Sequence, residues 1–266
     1  MANAQTMNFN KYWRIVATAS AFFLFGFGGL ILSFIVFPYL TFIYRHNENK
    51  RRYCARKVVH KTFKMFVGYM ELVGILELEI INGERLKGSQ GKIVIANHPS
   101  LIDVVVLISI IENADCVVKS GLWKNPFIKG VVRNTGYINN EEDPEKFIQD
   151  CKNTFQDGNN LIVFPEGTRT TQHQALKFRR GAANIAIRSQ VDILPIFLFV
   201  TPTTLTKELS WYQIPEKRFT FRLEVDEDIS VQKYLKTDVI SISVRELTRD
   251  LLEYYNEELK VDERVN

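Results

Sequence analysis

Thirty consecutive residues, Ile15 to Tyr44, carry no charged side chain, and this run constrains the chain more than any other feature. Phenylalanine, leucine and isoleucine dominate it, from Phe22, Phe23, Leu24 and Phe25 through Leu30, Ile31 and Leu32 to Phe34, Ile35, Val36 and Phe37. A helix needs about 20 mostly apolar residues to cross a bilayer. The run is longer, so it must tilt, bend or break, and Pro38 and the Gly26/Gly28/Gly29 cluster are the expected bends. A cleaved signal has an apolar region of only ~7–15 residues, followed by a small-residue cleavage site. No Ala-x-Ala site follows here. A retained anchor is therefore expected, since a buried soluble helix would need a comparable apolar partner.

Charge flanks the run unevenly. Lys11 and Arg14 precede it, whereas Arg45, Lys50, Arg51, Arg52, Arg56, Lys57, Lys61 and Lys64 follow. The positive-inside rule then places the rest of the chain in the cytoplasm. A re-entrant hairpin, with both ends cytoplasmic, fits the same residues. Arg51 to Leu72 reads as a basic amphipathic helix, with Val58, Val59, Phe63, Phe66, Val67 and Met70 at helical spacing. Such a helix can lie on an anionic lipid surface or pack its apolar face into the protein core. Residues 1–74 are read as the anchor with this helix, and 75–266 as the domain that follows.

Net charge is +4 with a pI near 8.8, and no nucleic-acid-binding module accompanies the excess. Cys54, Cys116 and Cys151 are widely spaced and form no metal or redox motif, which fits reduced thiols in a cytosolic setting.

From residue 75 onward the pattern becomes α/β. Strands are expected at Ile75–Ile81, Lys92–Ala96, Cys116–Lys119, Gly136–Asn139, Leu161–Phe164, Ile193–Val200 and, as an edge strand, Phe219–Val225. Helices are expected at Leu101–Ile111, Asn125–Arg133, Pro144–Phe155, Arg180–Ser189 and Val239–Tyr255. Strands alternating with helices predict a layered α/β fold.

Two segments carry chemistry. Asn97-His98-Pro99-Ser100-Leu101-Ile102-Asp103 follows a predicted strand and opens a helix. That junction lets the Asp103 carboxylate reach one imidazole nitrogen of His98. The pair would fix the tautomer and stabilise the imidazolium, while the other nitrogen takes a proton. Phe164-Pro165-Glu166-Gly167-Thr168-Arg169 likewise leaves a strand end. Gly167 permits unusual backbone angles there, and Arg169 can fork onto a phosphate or carboxylate. Alone, either segment could be structural: a satisfied histidine near a helix start, or a surface Glu/Arg turn.

Together, NHxxxxD and FPEGTR resemble the glycerophospholipid acyltransferase family, typified by 1-acyl-glycerol-3-phosphate acyltransferases. The resemblance runs from about Lys92 to Leu198 and includes Lys177-Phe178-Arg179-Arg180-Gly181-Ala182 and Ile193-Leu194-Pro195-Ile196. It implies a mixed sheet flanked by helices, with His98 as general base and Asp103 orienting it. It also implies an acceptor site built around Arg169 with Glu166, Gly167 and Thr168, to which Lys119 is added as a substrate-binding candidate, without metal or other cofactor. Acyl-CoA or acyl carrier protein would be the donor, a lysophospholipid the acceptor, and the cytoplasmic face of the inner membrane the location. The family usually has Gly-x-x-x-x-Arg between the two motifs. Here Gly136-Tyr137-Ile138-Asn139-Asn140 places Asn140 where that arginine is expected, with Arg133, Lys119, Arg179 or Arg180 as candidate substitutes. Thr201-Pro202-Thr203-Thr204-Leu205-Thr206-Lys207 and Trp211-Tyr212-Gln213-Ile214-Pro215 resemble acyltransferases of bacterial aryl-polyene clusters, which implies a specialised lipid or polyene acceptor. Two other classes fit parts of the pattern: a catalytically silent membrane-anchored lipid-binding protein, and a thioesterase in which His98 activates water.

Overall fold

A computed structural model describes residues 2–265 apart from 88, 126–127, 141–142, 172–173 and 237–238, with side chains described from 12 to 260. The chain opens with helix α1 (Ala2–Ile31), one π-helical turn (Leu32–Val36) and α2 (Phe37–Ile43). The glycine cluster stays within regular α-helix. The irregularity falls in the turn ahead of Pro38, where the Phe37 N–H donates to the Leu32 carbonyl, five residues back. Proline offers no N–H to the helical ladder, and a π-turn is one way to accommodate that gap. Among the described residues, Tyr12–Ile43 is the one helix long and apolar enough to cross a membrane, with a mean hydropathy of 2.2.

Helix α3 (Glu48–Leu72) starts earlier than its basic pattern suggests, because the Asn47 side chain accepts from the Lys50 N–H and caps it. It packs back on α1, where Ala17 and Ala21 are buried and Ser20 Oγ lies 2.7 Å from the Tyr69 hydroxyl. The opposite side of the N-terminal helices is bare: Phe23, Phe34 and Phe42 are 67%, 70% and 73% exposed. An exposed stripe of large aromatics suits lipid rather than water.

Among the described residues seven strands follow: β1 (Leu76–Ile81), β2 (Ile93–Ala96), β3 (Asp115–Val118), β4 (Ile138–Asn139), β5 (Leu161–Val163), β6 (Ile193–Thr201) and β7 (Phe219–Val225). They form one mixed sheet in the order β1-β7-β6-β2-β5-β3-β4, antiparallel only between β6 and β7. The interleaved helices are α4 (Asp103–Ile110), α5 (Ser120–Lys124), α6 (Lys129–Thr135), α7 (Pro144–Gln156), α8 (Gly181–Ser189) and α9 (Ile240–Val265). Strands β2 and β5 are continuous apolar runs because both faces are covered. Val94, Ala96 and Ile162 join the core shared with α1, α3, α4 and α6, whereas Ile93, Ile95, Leu161 and Val163 join the core beneath α7, α8 and α9. The first of these cores runs across the boundary expected at residue 74.

The structure corrects several sequence expectations. Strand β7 is internal, between β1 and β6, rather than an edge strand. Its alternate residues are buried, and on its half-buried face the Arg222 guanidinium lies 4.4 Å from the ring centroid of Phe199 on β6. The edge falls to β1, which carries Glu77 and Glu79, charges that suit an edge strand. The helix expected at Asn125–Arg133 begins later and ends at Gly136, whose φ of 75° terminates α6; short α5 precedes it.

Candidate active site

Parallel pairing is what unites the two motifs. Strands β2 and β5 are neighbours, with Ile93 opposite Leu161 and Ile95 opposite Val163, so both chains leave the sheet at the same edge, side by side. Open α/β sheets hold their ligands outside the carboxyl ends of such strands. Asn97 fastens this edge further, donating from Nδ2 to the Leu198 carbonyl and accepting from the Leu198 N–H, both at 2.8 Å.

His98 follows directly. Its Nδ1 lies 2.7 Å from Asp103 Oδ2, and the Ser100 N–H donates to the same oxygen at 2.8 Å. Asp103 opens α4 and reaches back one turn, as the acid of a capping box does. An ionised carboxylate only accepts, so Nδ1 carries the ring proton and Nε2 is left to take another. Burial pushes the fully buried Asp103 carboxyl above its ordinary range, against the opposing pull of His98 and the Ser100 amide. The imidazole stacks on Phe164, with centroids 4.2 Å apart.

Glu166 is buried, and its Oε1 accepts from the His98 N–H at 2.9 Å and from the Thr170 hydroxyl at 2.8 Å. Thr170 N–H in turn donates to the His98 carbonyl at 2.7 Å. Glu166 therefore grips the backbone of His98, and burial pushes its own carboxyl upward. Gly167 has a φ of 67°, a backbone conformation that favours glycine, and a Cβ there would press on the Arg179 side chain at 3.0 Å. Arg169 donates from Nη1 to the carbonyls of Leu205 (3.0 Å) and Thr206 (2.7 Å).

These residues edge a cavity of about 900 Å³ with a mostly apolar wall. Phe22 and Phe25 of α1, Phe63 and Phe66 of α3, and Val105 and Ile108 of α4 line it, so the N-terminal helices help to build it. His98, Gly167, Thr168 and Arg169 lie on its wall, as do Lys119, Arg179 and Asn140. Of the other two candidate cations, Arg133 lines a separate cavity of about 450 Å³, and Arg180 is exposed at the start of α8. Cys116 also reaches the large cavity, but burial pushes its thiol up to about 12, so it supplies no thiolate at neutral pH. The motifs do not reveal the Phe164 stack, the Asn97 clamp or the carbonyls that Arg169 holds. Asn97 and Phe164 are the opening residues of the two motifs, which is the local signal for them.

Comparison with known proteins decides the chemistry class. Residues 77–198 match the Acyltransferase family model. This region is an acyltransferase domain. A 1-acyl-sn-glycerol-3-phosphate acyltransferase of Helicobacter pylori is 25% identical over 175 residues, which cover 64% of this chain and 69% of that protein. A Caenorhabditis elegans protein named as a putative 1-acyl-sn-glycerol-3-phosphate acyltransferase, acl-2, is 34% identical over 110 residues, 39% of each chain. The match thus spans well under half of that second relative. The crystal structure of the 1-acyl-sn-glycerophosphate acyltransferase PlsC from Thermotoga maritima has the same fold, with a TM-score of 0.69 over 94% of this chain and 98% of that one, at 20% identity. Both chemistry-bearing motifs, NHxxxxD and FPEGTR, lie inside the acyltransferase domain.

Proposed function

We propose that this acyltransferase moves a fatty acyl group from a thioester, acyl-CoA or acyl carrier protein, to the hydroxyl of a lysophospholipid such as 1-acyl-glycerol-3-phosphate. The observation that carries the proposal is the His98–Asp103 pair at 2.7 Å, opening onto an apolar cavity of about 900 Å³. Nε2 of His98 takes the proton from the acceptor hydroxyl as its oxygen attacks the thioester carbonyl. The C–O bond forms, the C–S bond breaks, and the imidazolium returns the proton to the departing thiolate. Asp103 stays ionised and stabilises the imidazolium in between. Residues 1–74 seat the domain on the cytoplasmic face of the inner membrane, with the exposed cations of α3 toward anionic lipid.

Lys119 and Arg179 share the cavity wall with Arg169 and Asn140, and supply positive charge where an acidic headgroup would lie. Removing either charge, by Lys119→Ala or Arg179→Ala, is expected to raise the KM for lysophosphatidic acid about tenfold or more and leave kcat nearly unchanged, since a hydrogen bond to a charged group is worth ~1.5–3 kcal/mol. Steady-state kinetics with lysophosphatidic acid and an uncharged monoacylglycerol, side by side, reads this. Unchanged KM in both variants would remove the anionic acceptor from this wall. A wild-type preference for the uncharged lipid would shift the reading to a specialised acceptor, the alternative that Asn140 favours.

A further inference from the structure

Strands β6 and β7 are antiparallel neighbours, which a two-residue turn can join. Instead they are linked by the long excursion from Pro202 to Arg218, and long connections in compact domains are usually functional. The inner half of this connection is bonded to both motifs. The Leu101 N–H donates to the Leu205 carbonyl at 3.0 Å, and Arg169 donates to the Leu205 and Thr206 carbonyls. Leu205 has a φ of 53°, a left-handed conformation that a side chain of this kind adopts only where its surroundings enforce it. Thr204, Leu205, Ile214, Pro215 and Lys217 line the acyl cavity.

Between these lining residues, Trp211 and Tyr212 meet edge to face and are 48% and 58% exposed. Trp211 also packs on Phe22 of α1, with ring centroids 5.8 Å apart, and Arg14 of α1 donates to the Glu216 carbonyl. Phe23, next in α1, is exposed and stacks on Phe27. Trp211 and Tyr212 are thus exposed aromatics of a segment held against α1 at Phe22, the neighbour of Phe23, and fastened again at Arg14. Indole and phenol rings, apolar with one polar atom, favour the headgroup level of a bilayer.

We propose that the β6–β7 connection is a second lipid-contacting element, with Trp211 and Tyr212 seated at headgroup level, tying Arg169 and the cavity wall to a fixed depth beside the membrane. It rests on the reading of α1 as a bilayer anchor, and the test separates the two. The full chain carries three tryptophans, so Trp13→Phe with Trp123→Phe leaves Trp211 as the sole reporter. In phosphatidylglycerol/phosphatidylethanolamine vesicles, Trp211 is expected to be quenched about twofold more by lipids brominated near the glycerol than by lipids brominated near the chain end, as befits an interfacial indole. A Phe27→Trp reporter in a chain lacking the other tryptophans is expected to favour the deep bromines. In the otherwise unaltered chain, Trp211→Phe should remove shallow-quenched emission, a check that needs no multiple variant to fold. If Trp211 is unquenched, or quenched mainly by deep bromines, while the Phe27→Trp reporter is quenched, the proposal fails and the anchor stands. If neither reporter is quenched, the anchor reading falls and takes the proposal with it.

Discussion

His98→Ala is expected to lower the rate of acyl transfer by about 10²–10⁴-fold, the usual worth of a positioned general base. The fold is expected to persist with a lowered thermal midpoint, because the buried Asp103 carboxylate loses the ring as a partner. His98 is partly open to the cavity, and its backbone contacts to Glu166 and Thr170 do not depend on the ring. In energy the loss is about 3–5 kcal/mol of transition-state stabilisation. It should appear in kcat and kcat/KM together, because the proton moves only in the transition state. Asp103→Asn should follow it in direction. An amide can hold the ring through either its oxygen or its nitrogen, and it offers no charge to the imidazolium. A well-folded His98→Ala protein with parental turnover would refute the assigned base.

The largest stability effect is expected far from the chemistry. Arg56 of α3 forms an ion pair with Asp115 of β3 at 2.6 Å, with side chains only 8% and 2% exposed. Arg56 also donates to the Thr135 carbonyl at the end of α6, and Thr154 of α7 donates to Asp115. Four elements meet at this one cluster. Arg56→Ala strands a buried carboxylate, which costs about 3–5 kcal/mol at pH 8. Acid should relieve part of that cost. Burial already pushes Asp115 up to about 6 from its ordinary 3.8, even with Arg56 opposing. A folded-state value above the unfolded one means that the native state binds the extra proton. The carboxyl's penalty is therefore full above the folded value and recedes as pH falls through it. Without Arg56 the folded value rises further. Thermal melts in detergent at pH 8 and pH 6 should show the gap between variant and parent narrowing at the lower pH. A gap independent of pH would mean that Asp115 is not the group left behind.

Local chemistry was legible in the sequence, and long-range geometry was not. His98 and Asp103 lie five positions apart across a strand-to-helix junction, so their contact is almost a local property. The buried strands β2 and β5 show as short apolar runs, but nothing in Ile93–Ala96 or Leu161–Val163 says that they are parallel neighbours, and that pairing is what brings FPEGTR beside the histidine. Alternation in Phe219–Val225 reports one buried face without naming the strands on either side, hence the mistaken edge assignment for β7. Arg56 and Asp115 carry no local mark of their pairing, since one reads as part of a basic helix face and the other as a loop residue. Arg169 shows a related limit. Its motif suggests a ligand contact, yet the backbone carbonyls that take its Nη1 lie on a segment with no chemical motif at all.

The central claim, thioester to lipid hydroxyl through His98, is tested most directly by following a labelled acyl group through one turnover. Purified full-length protein in detergent would receive labelled acyl-CoA or acyl carrier protein, with and without lysophosphatidic acid, beside His98→Ala. The expected result is donor consumption that requires the acceptor, with the label recovered in phosphatidic acid and only with the parent protein. Label released as free fatty acid whether or not acceptor is present would contradict the claim and make water the true acceptor.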